Sequence, residues 1–172
     1  MAVYSDIITN FRAGILEDAK DLHGVKRIAK GIITLGTGDI DDNDIVHVAL
    51  VPMNAKILSI KLFNDDLDSN GSPALAADVG LYYGGDNGIG VSVGDVIDRD
   101  CFATAITDLQ SASSGLEVGY EARDFKNNKE VWEDGGLSSN PGGWAYVSVT
   151  IETAAATAAA GDLRLDVEYV ID

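Results

Sequence analysis

The alternation of apolar and polar residues is clearest in two segments near the C-terminus, residues 144–153 and 163–171. In each segment every second residue is apolar, and the residues between are mostly polar or charged. This period of two is typical of a strand that buries one face and leaves the other in water. The small residues that separate the segments end in Gly161-Asp162, a turn signal. We therefore predict an antiparallel hairpin in the wall of a β-sandwich.

The N-terminal residues follow a helical pattern instead. Apolar residues recur there at spacings of three and four and form one stripe: Tyr4, Ile7, Ile8, Phe11, Ile15, Leu16, Ala19 and Leu22. Ser5 is a suitable N-cap and His23-Gly24 a suitable end, so we predict an amphipathic helix over residues 5–22. An isolated helix of this length is marginal in water. Its stripe therefore needs a surface, either its own domain or a neighbouring subunit.

From Arg27 onward the pattern predicts strands. We expect them at residues 28–35, 45–51, 56–63, 75–83, 91–96 and 117–122, in addition to the two C-terminal ones. The segment 84–88, Gly-Gly-Asp-Asn-Gly, is a strong hairpin signal. The spacing of Phe102, Ala105, Ile106 and Leu109 predicts a short helix. Residues 123–143 form a long excursion, and loops of that length are usually functional or binding loops.

Seven or eight strands with glycine-rich turns predict a mainly β fold. We expect a jelly-roll-like antiparallel β-sandwich in residues 25–172, preceded by an N-terminal helical arm in residues 1–24. An up-and-down barrel is the alternative, although long excursions between strands suit Greek-key crossings better. The length of 172 residues is that of one domain.

The charge is strongly acidic, with 28 acidic and 12 basic residues and a net charge of −16. Residues 1–30 hold five basic and four acidic residues, so the body after them carries nearly all of the negative charge. Such a body repels the phosphates of nucleic acid and of anionic lipid. We therefore expect neither nucleic acid nor membrane as a partner, and different roles for the arm and the body.

One cysteine, Cys101, precludes an internal disulfide and fits folding in a reducing cytosol. We expect it to be a small buried hydrophobe, not a nucleophile. The N-terminus lacks the pattern of a signal peptide, and no run of apolar residues is long enough to span a membrane.

An acidic loop offers a weak calcium motif. Asp66, Asp68 and Asn70, followed by Gly71, match the first half of an EF-hand loop, but Ala77 stands where a bidentate Glu is required. A solvated turn uses the same residue types. The three residues are thus only weak calcium candidates.

Other chemistry has less support in the sequence. His23 and His47 have no second histidine at metal-ligand spacing, and no Gly-x-Ser-x-Gly elbow is present. The glycine-rich segments lack the Lys-Ser/Thr of a phosphate loop. We therefore expect no enzyme activity and no cofactor.

The last third of the chain resembles a known group of proteins. Residues 129–137 (Lys-Glu-Val-Trp-Glu-Asp-Gly-Gly-Leu), Asn140-Pro-Gly-Gly143, an alternating strand and the terminal Leu-Arg-Leu-Asp-Val-Glu-Tyr-Val are similar, in order and spacing, to the closing segment of small β-sandwich structural proteins of tailed-phage virions. The resemblance implies a capsid decoration (cement) protein or a neck or tail component. It further implies a homotrimer, with the major capsid protein as partner.

The charge favours the outer capsid surface, because a chain of −16 would be repelled by packaged DNA. We expect folding in the host cytoplasm and adhesion through the apolar stripe. The partner-contact candidates are Tyr4, Ile7, Phe11, Ile15 and Leu16 of the arm and Trp132 of the excursion.

Two other classes of function compete with this interpretation. A carbohydrate-binding sandwich would present a row of exposed aromatic residues, for which the candidates are Tyr82, Tyr83, Trp132, Trp144 and Tyr146. A small β-sandwich enzyme is the third class, and it lacks a ligand or nucleophile cluster in the sequence.

Overall fold

The computed structural model describes residues 25–88, 90–124 and 129–171. The helix predicted over residues 5–22, with its contact candidates Tyr4, Ile7, Phe11, Ile15 and Leu16, lies outside the described residues. Among the residues that are described, no helix has the length and apolarity that crossing a membrane requires.

The described chain is mainly β. Its strands are β1 Val25–Leu35, β2 Ile45–Pro52, β3 Lys56–Asn64, β4 Ala76–Gly85, β5 Val96–Ile106, β6 Ser113–Glu117, β7 Trp144–Thr153 and β8 Gly161–Ile171. A 3-10 turn, Asp108–Gln110, follows β5, and one helical turn, α1 Val131–Asp134, lies in the excursion before β7. The mainly β prediction is confirmed.

The strands form two four-stranded antiparallel sheets. One has the order β1-β8-β3-β6 and the other β2-β7-β4-β5. The pairs β1·β8, β2·β7, β3·β6 and β4·β5 are nested, so the chain is paired as one long hairpin folded over on itself. At the ends of this hairpin Val25 lies opposite Ile171.

The core lies between the sheets. The predicted alternation of the C-terminal strands is confirmed, because Val147, Val149, Leu163 and Leu165 are all buried in it. When two sheets pack face to face, the residues on the inner face of each strand are buried between them. On the far side of the second sheet, the backbone of Asp98 and Arg99 passes directly over Gly80. That overlay helps explain why Ser148 and Thr150, on the outward face of β7, are buried as well.

The predicted hairpin of the two C-terminal strands is wrong. β7 pairs with β2 and β4, whereas β8 pairs with β1 and β3 in the other sheet. The link at residues 154–160 therefore crosses from one sheet to the other. Alternation identifies which face of a strand is buried, but it does not identify the strand's partner, which here is fixed by long-range pairing.

Three local predictions change in the middle of the chain. The strands β4 and β5 pair as expected of a hairpin, but the strand predicted at residues 91–96 is wrong, since β5 begins only at Val96. The short helix expected from Phe102 to Leu109 is mostly strand, and only Asp108–Gln110 is helical. β5 shifts register against β4 at three places, so its apolar residues do not keep a spacing of two. The strand expected at residues 117–122 is wrong, since only Glu117 of that range lies in a strand, β6.

The two sheets meet at one side, where β1 and β2 lie next to each other. A Cβ atom on Gly31 of β1 would lie 1.6 Å from the carbonyl oxygen of Val48. Val48 sits at an irregularity in the pairing of β2, between His47 and Ala49. The absence of a side chain at position 31 is therefore what lets β1 approach β2 so closely.

We expect Gly31→Ala to destabilise the domain, because the added methyl group meets backbone and can be accommodated only by moving a strand. Overpacking of this kind costs about 1–3 kcal/mol, which for a domain of this size lowers Tm by several degrees. The control is Gly38→Ala, which has open space around its Cβ position. Equal Tm values for the two variants would contradict the steric role of Gly31.

Candidate interaction surface

β1 is a long, regular edge strand. All eleven of its residues pair with β8 in unbroken register, and within the described residues it has no second strand partner. Along such an edge, alternate residues direct their backbone N–H and C=O groups away from the sheet. The free edge of β1 is thus a template on which another strand can pair.

The edge of β1 is also apolar. Val25, Ile28 and Ile32 are 70%, 58% and 66% exposed, and Ile33 is exposed as well. Ile45 of the neighbouring β2 adds a further exposed isoleucine. We call this side of the sandwich, formed by β1 and the adjoining Ile45, the open side. Exposed apolar residues that cluster on one edge strand are typical of an interaction surface.

The opposite edges of the two sheets are protected. β6 has only five residues, and its pairing with β3 is interrupted between Leu62 and Phe63. β5 is irregular at three places. Short and bulged edge strands resist pairing with other chains. The open side is therefore the side of the sandwich best suited to recruit a strand.

Charge is distributed unevenly along the open side. β1 carries Lys26, Arg27 and Lys30 and no acidic residue. The loop that follows it, residues 36–44, carries four aspartates and no basic residue. The loop is ordered by its own side chains, since the Asp39 carboxylate accepts the N–H of Gly36 at 2.7 Å and that of Asp44 accepts the N–H of Asp41 at 2.8 Å. One end of the open side is cationic and the other anionic.

On the outer face of the first sheet, positive and negative side chains alternate from strand to strand. Lys30, Asp166, Lys61 and Glu117 lie opposite one another on β1, β8, β3 and β6 in turn. Lys26 also pairs with Glu168 at 2.5 Å. Hydrogen bonds from Arg164 are the main reason that the pKa of Asp166 lies below its ordinary value. Opposite charges on neighbouring strands stabilise the sheet, and the row ends on a cation at β1.

A groove of about 420 Å³ lies where the open side meets the acidic loop. Its lining residues are Ile33, Leu35, Gly38, Asp39, Asp44, Ile45, Val46 and His47. The His47 ring stacks on Tyr146 with centroids 4.6 Å apart, and its Nδ1 lies 2.8 Å from Ser148 Oγ. Burial lowers the pKa of His47. His47 is thus held on the edge strand β2 by a hydrogen bond and by stacking.

The weak calcium motif has a structural role. Asp68 is 1% exposed, and its two carboxylate oxygens accept five backbone N–H groups, from Asn70, Ala74, Leu75, Ala156 and Thr157, at 2.7–3.4 Å. Asp66 and Asn70 accept backbone N–H groups two residues on, as in Asx turns. In the described part of the chain no three His, Cys, Asp or Glu residues are grouped as a metal site.

The surroundings of Asp68 shift its pKa strongly. Burial alone would raise the pKa of the carboxyl group, but the backbone N–H groups of Thr157, Ala74, Ala156 and Leu75 outweigh it and hold the pKa far below the ordinary value of aspartate. Asp68 is therefore ionised under all ordinary conditions. The spacing in the sequence singled out Asp68, and in the structure backbone N–H groups occupy its carboxylate.

The remaining candidates are built into the fold. Burial raises the pKa of the Cys101 thiol, so the thiolate that nucleophilic chemistry needs is disfavoured. Trp132, at α1, is half-buried, packs against the core and donates from Nε1 to Glu130 at 2.7 Å. Arg123, in the same excursion, pairs with Asp134 at 3.0 Å and donates to the carbonyl of Ile57. The excursion is thus anchored to the sandwich.

The five aromatic candidates for a sugar-binding row do not share an exposed surface. Tyr82 is 2% exposed and donates or accepts a hydrogen bond with Thr150 at 2.7 Å. Trp144 is exposed, whereas Tyr83, Trp132 and Tyr146 are half-buried. Stacking on a sugar requires an open aromatic face, so the arrangement does not favour carbohydrate binding.

Comparisons with known proteins place the fold. No protein-family model and no curated protein matches the chain. Among solved structures, a chain of the "Capsid of Ralstonia phage GP4" is similar over 88% of both chains, with 24% identity and a TM-score of 0.63. A chain of the "Cyanophage Pam1 capsid asymmetric unit" is similar over 88% of both chains, with 22% identity and a TM-score of 0.60. At these identities the likeness shows a shared fold.

We expect Asp68→Asn to destabilise the protein at pH 7 by about 3 kcal/mol, because an amide presents an NH₂ group to backbone donors that need an acceptor. Since the folded-state pKa of Asp68 is depressed, its contribution is complete above the unfolded value of about 3.9 and is lost as pH falls below it. The difference in unfolding free energy between variant and wild type should therefore shrink below pH 4. Urea unfolding at several pH values measures it.

Asp86→Asn is the control, since Asp86 is exposed and has a positive φ that Asn tolerates. A rise in wild-type stability on adding calcium, abolished by Asp68→Asn, would contradict the structural role and restore the metal interpretation.

Proposed function

We propose that this chain is a structural protein of a phage virion that decorates and stabilises the outer capsid surface. The observation that carries the proposal is the fold, which is shared over 88% of the chain with chains of two phage capsid structures. The open side, with its exposed isoleucines, supports a protein that works by adhesion. The chain-order resemblance of residues 129–170 to tailed-phage structural proteins points the same way.

We infer further that the sandwich is a jelly roll. The orders β1-β8-β3-β6 and β2-β7-β4-β5, with nested pairs, support this assignment, because a jelly roll is a double sheet of eight strands built from Greek keys. The fold alone implies no chemistry. The function must therefore come from the surfaces that the fold presents.

The outer capsid surface is proposed because of charge. A net charge of −16 disfavours contact with packaged DNA. As partners we propose the major capsid protein and further copies of this chain, in a homotrimer as the resemblance implies, with folding in the host cytoplasm. No reaction or cofactor is assigned, since an adhesive role needs neither.

The arm is the proposed means of attachment to the coat protein. Its stripe would bury Phe11, Ile15 and Leu16 against a capsid neighbour, with Tyr4 and Ile7 extending the contact. Burial of apolar area contributes about 25 cal/mol per Å². Trp132, being half-buried, would contribute only its exposed part.

We expect a chain lacking residues 1–24 to be lost from capsids, because the described sandwich would remain while the adhesive stripe is removed. The measurement is the amount of this chain relative to the coat protein in purified particles, by quantitative mass spectrometry. Substituting Phe11, Ile15 and Leu16 by Ser should have the same effect. The matched control changes the polar face, Asn10→Ser with Glu17→Ser, and should leave occupancy unchanged.

The copy number of the intact chain separates decoration from the second candidate, a neck or tail component. A copy number comparable with that of the coat protein supports decoration, and a small fraction of it supports the neck or tail. Full occupancy after removal of residues 1–24 would disprove the role of the arm. Absence of the chain from purified particles would contradict the virion role itself.

A further inference from the structure

We propose that two copies of this chain associate edge to edge through β1, antiparallel and about a twofold axis near Ile32, so that the two sheets containing β1 become continuous. The inference rests on the proposed function in one respect, that the protein adheres to itself. It adds the strand, the direction and the symmetry of that contact.

The first support is the state of β1. It is the longest regular edge in the described chain, with eleven residues in register and no second strand partner among them. Pairing with another strand would satisfy the backbone groups along its free edge. It would also bring the exposed side chain of Ile32 next to its counterpart and shield both from water, with Ile28 of each copy opposite Gly36 of the other.

The second support is charge, which selects a second copy as occupant and sets the direction. The cations of β1 lie at residues 26–30, and the aspartates of the following loop at residues 39–44. In an antiparallel arrangement the cationic end of each copy lies beside the anionic loop of the other, and this happens twice. A parallel arrangement would set cations against cations and aspartates against aspartates. Like charges placed opposite each other are destabilising.

A register with Ile32 at the twofold axis also keeps like charges from facing each other. With Ile32 opposite its own counterpart, Lys30 lies opposite Thr34 and Lys26 opposite Gly38. No lysine then faces a lysine across the contact. The net negative charge of each copy makes two copies repel each other over most of their surfaces. The repulsion is least where the cations of β1 in one copy lie beside the acidic loop of the other.

The symmetry defines what the contact can build. A contact of one surface with itself closes at two chains, whereas a trimer requires two different surfaces in head-to-tail contact. The β1 contact would therefore join neighbouring decoration units and leave the contacts within a trimer to other surfaces. On a capsid, such a link would tie adjacent units together over the coat protein.

The test is disulfide or bismaleimide cross-linking of the purified full-length protein carrying Ile32→Cys. Near a twofold axis the two cysteines of neighbouring copies adjoin, so we expect a two-chain band on a denaturing gel. The matched control is Leu116→Cys, which places an exposed cysteine on β6, the opposite edge of the same sheet. We expect at least a tenfold higher yield for Ile32→Cys. Equal yields would overturn the proposal.

A charge reversal tests the direction. Arg27→Glu, added to Ile32→Cys, should lower the cross-linking yield several-fold, and further addition of Asp41→Lys should restore it. Both side chains are exposed, and circular dichroism checks that each variant is folded. A high yield that Arg27→Glu leaves unchanged would argue against the antiparallel arrangement.

The outcomes separate this inference from the proposed function. A chain that is abundant in capsids but does not cross-link through Ile32 disproves the β1 contact and leaves decoration intact. A chain that cross-links through Ile32 but is absent from particles keeps the β1 contact and disproves decoration.

Discussion

The carboxylate of Asp68 is the interaction on which one end of the sandwich depends. It accepts N–H groups from its own segment between β3 and β4, at Ala74 and Leu75, and from the segment between β7 and β8, at Ala156 and Thr157. Both segments cross from one sheet to the other. A single buried charge therefore joins two crossings that are about ninety residues apart in the chain. The two crossings also meet in one isolated β-bridge, between Asp68 and Ala158. The carboxylate supplies the acceptor for the four N–H groups that this bridge leaves out.

The sequence predicted the faces of the strands well and their partners poorly. Alternation at β7 and β8 correctly identified Val147 and Leu165 as core residues, because burial of one face is a local property. The predicted hairpin failed because pairing is decided by segments far away, β2 and β1. The segment around Phe102 was predicted as a helix although it is part of β5. The bulges in β5 interrupt the period of two that identifies a strand. The arm of residues 1–24 stays a prediction.

For the candidate surface, composition was informative but geometry was necessary. The β-branched, apolar residues 28–35 were evident in the sequence and were assigned to a strand. That this strand is an outer one, with Ile32 exposed, follows only from the sheet order. The aspartates at positions 66 and 68 suggested metal ligands, because ion sites and turns use the same residues. Only the positions of the surrounding N–H groups decide between them.

The adjacency of Val25 and Ile171 gives the domain a single corner at which the chain enters and leaves. A segment joined at Val25 or at Ile171 leaves the described sandwich from that corner, at the first residue of β1. The described sandwich thus has one point of attachment. A foreign peptide can be joined there without changing the strands of either sheet.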